Sequence, residues 1–124
     1  MRNNIAFDKS LDFAVQIVEL SDYLQQTYHD YVLSRQILKS GTSIGANLRE
    51  SRNAQSVDDF ISKLSISLKE ADETQFWIDL LHLSHKINED IYLKLNTQLS
   101  EIISILVSSI RTAKTNQQNK KQAY

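Results

Sequence analysis

Proline is absent from this chain, and its only glycines are at positions 41 and 45. Sandwiches and barrels need turn residues about every 8–12 positions, so this pattern points away from many short strands and toward long helices. The 124 residues fit one domain and can bury a substantial core. Cysteine is absent too, which excludes a disulfide scaffold, a zinc ribbon and thiol catalysis.

Four helices follow from the periodicity of the apolar residues. The first is predicted over 8–27, where Phe13, Ile17, Leu20 and Leu24 recur at helical spacing. Leu11, Val15 and Val18 widen its apolar face. The second is predicted over 31–53, with Leu33, Ile37, Ile44 and Leu48 on one side. Ser40-Gly41-Thr42-Ser43 interrupts it with poor helix formers. The apolar phase nevertheless runs through this stretch, so one continuous helix is expected. The third is predicted over 57–85, capped by Ser56 and opened by Asp58 and Asp59. The fourth spans 88–114 behind Asn88, and 115–124 reads as a flexible basic tail. Short polar links between long helices predict an all-α, antiparallel, up-down-up-down four-helix bundle.

Helix two sorts into sides at about 100° per residue. Gly41 and Gly45 stack on one shoulder, where missing Cβ atoms allow a neighbouring backbone to approach closely. A phosphate loop would need a preceding strand and a Gly-Lys-Ser/Thr run, and neither is present. Ser43, Asn47 and Glu50 share the other shoulder, and Glu50 is placed to meet Lys63 or Lys69.

Helix three carries more apolar groups than one core stripe uses. Ile66, Trp77 and Leu80 lie on a second side, and Phe76 and Leu83 lie almost opposite the core. Surplus apolar surface of this kind predicts self-association, with Ile66, Phe76, Trp77 and Leu80 as the interface residues.

Enzymatic chemistry finds little support. A carboxylate-bridged di-metal bundle needs Glu-x-x-His on two helices, and the only echo is Asp79-x-x-His82. No nucleophile elbow is visible. No catalytic, cofactor-binding or metal-binding residue is therefore assigned. No apolar run approaches the roughly 18–20 residues of a membrane span. The N-terminus lacks a signal peptide's apolar segment, so a cytoplasmic protein is expected. Net charge is −1, but residues 30–53 carry +2 and residues 111–124 carry +4. Arg35, Lys39, Arg49 and Arg52, with Arg111, Lys114, Lys120 and Lys121, form a candidate nucleic-acid face.

The stretch Ser43-Ile44-Gly45-Ala46-Asn47-Leu48-Arg49-Glu50 resembles the Ser-Ile-x-x-Asn-[Ile/Leu]-x-Glu signature of the 23S rRNA intervening-sequence protein family. A second match follows from Asp59 and Phe60 through Glu70 and Glu73 to Trp77, with Arg35 and Gly41 upstream and Leu80-Leu81 downstream. Ser51 stands where the family has glycine. The resemblance implies a bacterial cytosolic four-helix bundle, assembled in known members as a ring-shaped homopentamer, with no established enzymatic activity. A related branch, the accessory variability protein of diversity-generating retroelements, binds nucleic acid and a reverse transcriptase. RNA or a nucleic-acid enzyme is therefore an expected partner beside the chain itself. The motif then acquires a physical role, in which Ser43, Asn47 and Glu50 are expected to tie helix two to helix three or to a neighbouring subunit.

Overall fold

The computed structural model describes residues 4–122, with side chains for 5–120. Its four helices are α1 (Asn4–Tyr28), α2 (Tyr31–Ser51), α3 (Val57–Leu83) and α4 (Glu89–Gln122). The fourth departs most from expectation. Its apolar period ends near Lys114, yet the helix continues to Gln122. Gln117 Nε2 donates to Asp58 Oδ1 at 2.7 Å, which ties this extension to the start of α3. The other three differ by a few residues at their ends: α1 begins earlier, and α2 and α3 end two residues sooner.

The bundle is antiparallel. Links of a few residues join helices about 1.5 Å long per residue, so each helix must double back. The cross-contacts agree, since early residues of one helix meet late residues of the next. Ser21 bonds to Ser34 and Ile17 lies against Gly41, while Lys63 pairs with Glu50 and Gln75 with Asn96. α1 and α3 each lie alongside α2 and α4, and the backbones of the diagonal pairs stand farther apart.

Phe13, Ile17, Leu24, Ile37, Ile44, Leu64, Ile78, Leu99, Ile102 and Leu106 fill the core. They sit on the predicted stripes, because one helical face per element is enough to close a four-helix square. Leu11, Val15 and Val18 are the correction: all three are exposed. α1 has two neighbours only, and these residues lie on the side facing neither.

α2 runs unbroken through Ser40-Gly41-Thr42-Ser43. Thr42 Oγ1 and Ser43 Oγ donate back to the carbonyls of Leu38 and Lys39, both at 2.7 Å. The hydroxyls thus find partners inside the helix instead of competing with it from a turn. The predicted caps are present. Ser56 Oγ accepts from Asp59 N (3.0 Å) and Asn88 Oδ1 from Ile91 N (2.8 Å).

Candidate functional site

Glycine and histidine have exchanged their usual places. A helix commonly ends on a left-handed residue, usually glycine. Here His29 (φ 54°) and His85 (φ 62°) hold those positions, and neither glycine has positive φ. The residue after each histidine closes the cap, with Asp30 N donating to Leu24 O (3.2 Å) and Lys86 N to Leu81 O (2.9 Å). These two closing residues then pair with each other, Lys86 Nζ to Asp30 Oδ2 at 2.9 Å. Asp30 also caps α2, accepting from Val32 N and Leu33 N. The Lys86 ammonium, and then those backbone donors, hold the Asp30 carboxyl below the usual carboxylate range against its own desolvation.

The glycines serve packing instead. A Cβ at Gly41 would stand 2.9 Å from Ile17 Cγ2, inside contact distance, whereas a Cβ at Gly45 would meet Ser10 Cβ at 3.5 Å, an ordinary contact. The neighbour is α1, but at Gly41 the Ile17 side chain approaches in place of the expected backbone, and the fit is strict at that glycine only.

Against α3, small hydroxyl residues make the seam. Ser40 and Thr74 share a hydrogen bond of 2.9 Å, and Ser67 Oγ donates to the Ile44 carbonyl at 2.9 Å. All three side chains are buried. Their spacing puts them on the core stripe but carries no sign of this bonding.

The motif residues divide. Ile44 is in the core, and Phe60 is half-buried against it. Ser43 Oγ donates to Lys39 O, and Asn47 Nδ2 donates to Ser43 O at 2.8 Å, so both bonds stay within α2. Their expected link to helix three is absent inside the protomer, because side chains this short reach their own preceding turn first. Glu50 alone crosses, 3.4 Å from Lys63, and it is exposed. Exposed pairs of this kind contribute about 0–1 kcal/mol. On α3 the Glu70 carbonyl accepts from Thr74, and Trp77 Nε1 donates to Glu73 Oε2 at 3.3 Å.

Of the predicted interface, Ile66 and Phe76 are exposed, whereas Trp77 and Leu80 are half-buried. Trp77 packs on the core and meets Phe76 edge-on at 5.1 Å. Leu83, 74% exposed, extends the patch toward the end of α3.

The basic set is not one face. Arg35 and Lys39 lie on α2, and both are exposed. The guanidinium carbons of Arg49 and Arg52 lie 4.7 and 4.6 Å from the centre of the Phe7 ring, on the side toward α1. Arg111, Lys114 and Lys120 are exposed on α4, the helix diagonal to α2. The side chain of Lys121 lies outside the described residues.

The remaining polar cluster fixes the α3–α4 seam. Tyr92 Oη donates to Asp79 Oδ1 (3.1 Å), and Gln75 Nε2 reaches both Asp79 and Asn96 at 2.9 Å. The bond to Asp79, with burial second, raises the Tyr92 phenol above its ordinary value. His82 stacks on Tyr92 at 3.8 Å and lies 2.7 Å from Glu89. Asp79 and His82 thus meet the same ring, Asp79 through the Tyr92 hydroxyl and His82 by stacking on its face. Among the described residues, no group of three or more His, Asp or Glu is placed to hold a metal. No described helix is long and apolar enough to cross a membrane.

The model of a family described as 23S rRNA-intervening sequence protein matches residues 2–108. Among solved structures, the chain is similar to a protein of unknown function from the S23 ribosomal protein family of Bacteroides thetaiotaomicron VPI-5482. The two share 49% identity over 90% of this chain and 99% of that one, with a TM-score of 0.86. No curated protein matches.

Proposed function

The chain belongs to the 23S rRNA-intervening sequence protein family, and on that premise we propose that it is a non-enzymatic interaction module that assembles with copies of itself. The observation that carries this reading is the outward side of α3, where Phe76 is 59% exposed and Leu83 74%, with Ile66, 39% exposed, on the adjoining side. Apolar side chains of this size grouped on one surface usually have a partner. Trp77 and Leu80 continue the patch into the bundle, which supplies the rigid half-buried anchors that interfaces favour. The assembly is a ring, a homopentamer by the family resemblance, and it serves as a cytoplasmic scaffold. A closed ring repeats each charged side chain around its axis, so Arg35 and Lys39 would recur as a basic belt able to meet RNA.

Light scattering on the intact chain, followed by an RNA titration at two salt concentrations, tests both statements. The wild type is expected as an oligomer, and Phe76→Asp combined with Leu80→Asp as a folded monomer. A monomeric wild type would overturn the assembly. RNA binding is expected to weaken steeply with salt and to be lost in Arg35→Glu/Lys39→Glu. An oligomer that binds no RNA at moderate salt is a purely structural module.

A further inference from the structure

The outward side of α1 is a second apolar surface, and the self-association reading does not use it. Leu11, Val15 and Val18 are 52%, 52% and 44% exposed at spacings of four and three, which makes a continuous ridge along the helix. Carboxylates frame it: Asp8 and Asp12 at one end, Glu19 and Asp22 at the other, all exposed. None of the four is in an ion pair among the described residues. The single base in the stretch, Lys9, is 3.8 Å from Glu101 of α4. This surface is therefore apolar along its crest and negative at both ends.

A fitting occupant is apolar along one stripe and positive toward both ends of it. Among the described residues, no other outward face of this chain has that combination. The α3 patch brings Asp72 and Glu73 beside Phe76, so carboxylates would face carboxylates. The α2 face has Arg35 and Lys39, but Val32 is the only exposed aliphatic side chain near them. The outward side of α4 has exposed Leu93 and Val107, but Thr97, Ser100 and Ser104 separate them, so they form no apolar stripe.

From this charge complementarity we propose that the Leu11–Val15–Val18 face of α1 docks a basic amphipathic helix of a different protein. Aliphatic side chains spaced three and four apart lie along the ridge, and Lys or Arg toward either end meet Asp8 and Asp12 or Glu19 and Asp22. Helix recognition of this kind reads a few anchors at that spacing. The proposal goes beyond self-association and does not depend on it.

The probe is a fluorescein-labelled synthetic peptide of about 18 residues, long enough to be helical, with a leucine stripe flanked by lysines. Anisotropy is read against the wild-type chain. Saturable binding is expected, weakened about tenfold or more by Asp12→Lys/Glu19→Lys and to a similar degree by Leu11→Ser/Val15→Ser. Higher salt should weaken it through screening. A glutamate-flanked version of the peptide is expected not to bind, an arm that needs no protein variant. Phe76→Asp should leave peptide binding unchanged, which separates this face from the α3 patch. Equal binding of a composition-matched scrambled peptide, or no binding at all, overturns the proposal. So does a fall in assembly mass in Leu11→Ser/Val15→Ser, since a second copy would then occupy the ridge.

Discussion

The flanks of α2 and the seam between α1 and α4 are built differently. On the α1 flank, Gly41 admits Ile17 to a distance that a methyl group would block, and on the α3 flank buried serines and a threonine bond across the gap. Small residues let these helices pack closely, and the hydroxyls of Ser40, Ser67 and Thr74 find partners there, although Ser10 Oγ, buried beside Gly45, has none. The α1–α4 seam is the looser one. Tyr23 and Ile91 are partly exposed beside it. On α4, Gln98 Oε1 is buried without a hydrogen-bond partner. The comparison teaches that one bundle can hold one helix rigidly from both sides and leave another seam to long side chains that only partly cover it.

The largest expected contrast comes from truncating an isoleucine on each side of this comparison. Ile44→Ala empties a fully buried site and should cost about 3 kcal/mol. Ile91→Ala, on a side chain 37% exposed, should cost under about 1 kcal/mol. Urea unfolding of the two variants measures the difference, and equal losses would erase the distinction between the seams.

The glycines sharpen it at finer grain. Gly41→Ala presses a methyl group into Ile17 and should destabilise by about 1–2 kcal/mol after the gain in helix propensity. Gly45→Ala meets only ordinary contact and should be neutral or stabilising by up to about 1 kcal/mol. Thermal melts with opposite signs are expected, and a stabilising Gly41→Ala would mean that the α1–α2 seam has slack. The smallest effect lies on α4. Gln98→Leu removes an unpaired buried oxygen and should be neutral or stabilising by about 1 kcal/mol at most. A clear loss of stability would show that this amide does have a partner in solution.

Much of the fold was legible from the residues alone. The stripe Phe13, Ile17, Leu20, Leu24 predicted the buried face of α1, and Ser56 and Asn88 announced the starts of α3 and α4. The continuity of α2 through Gly41 was legible too, from the unbroken phase of Ile37 and Ile44. The end of α4 was not, because the polar residues after Lys114 show no period. Their helix is held by Gln117 reaching Asp58, a contact between residues distant in the chain. The motif was legible as a pattern, and of its expected ties to helix three only that of Glu50 to Lys63 is made. Ser43 and Asn47 bond within their own helix, while Ser40, Ser67 and Thr74 make the cross-links. Short side chains give no sign in sequence of which backbone they will meet. The basic residues likewise formed one group by number and at least two in space, since Arg49 and Arg52 turn toward Phe7.

Periodicity and the absence of proline determined by themselves that this chain makes four long helices, because helical spacing is a local property carried by each segment. Only the tertiary structure decided which apolar residues are left outside, since exposure depends on how many neighbours a helix has. It also decided where the glycines and histidines serve. The two caps at His29 and His85 meet through Asp30 and Lys86, residues 56 positions apart that only the doubling-back of the bundle brings together.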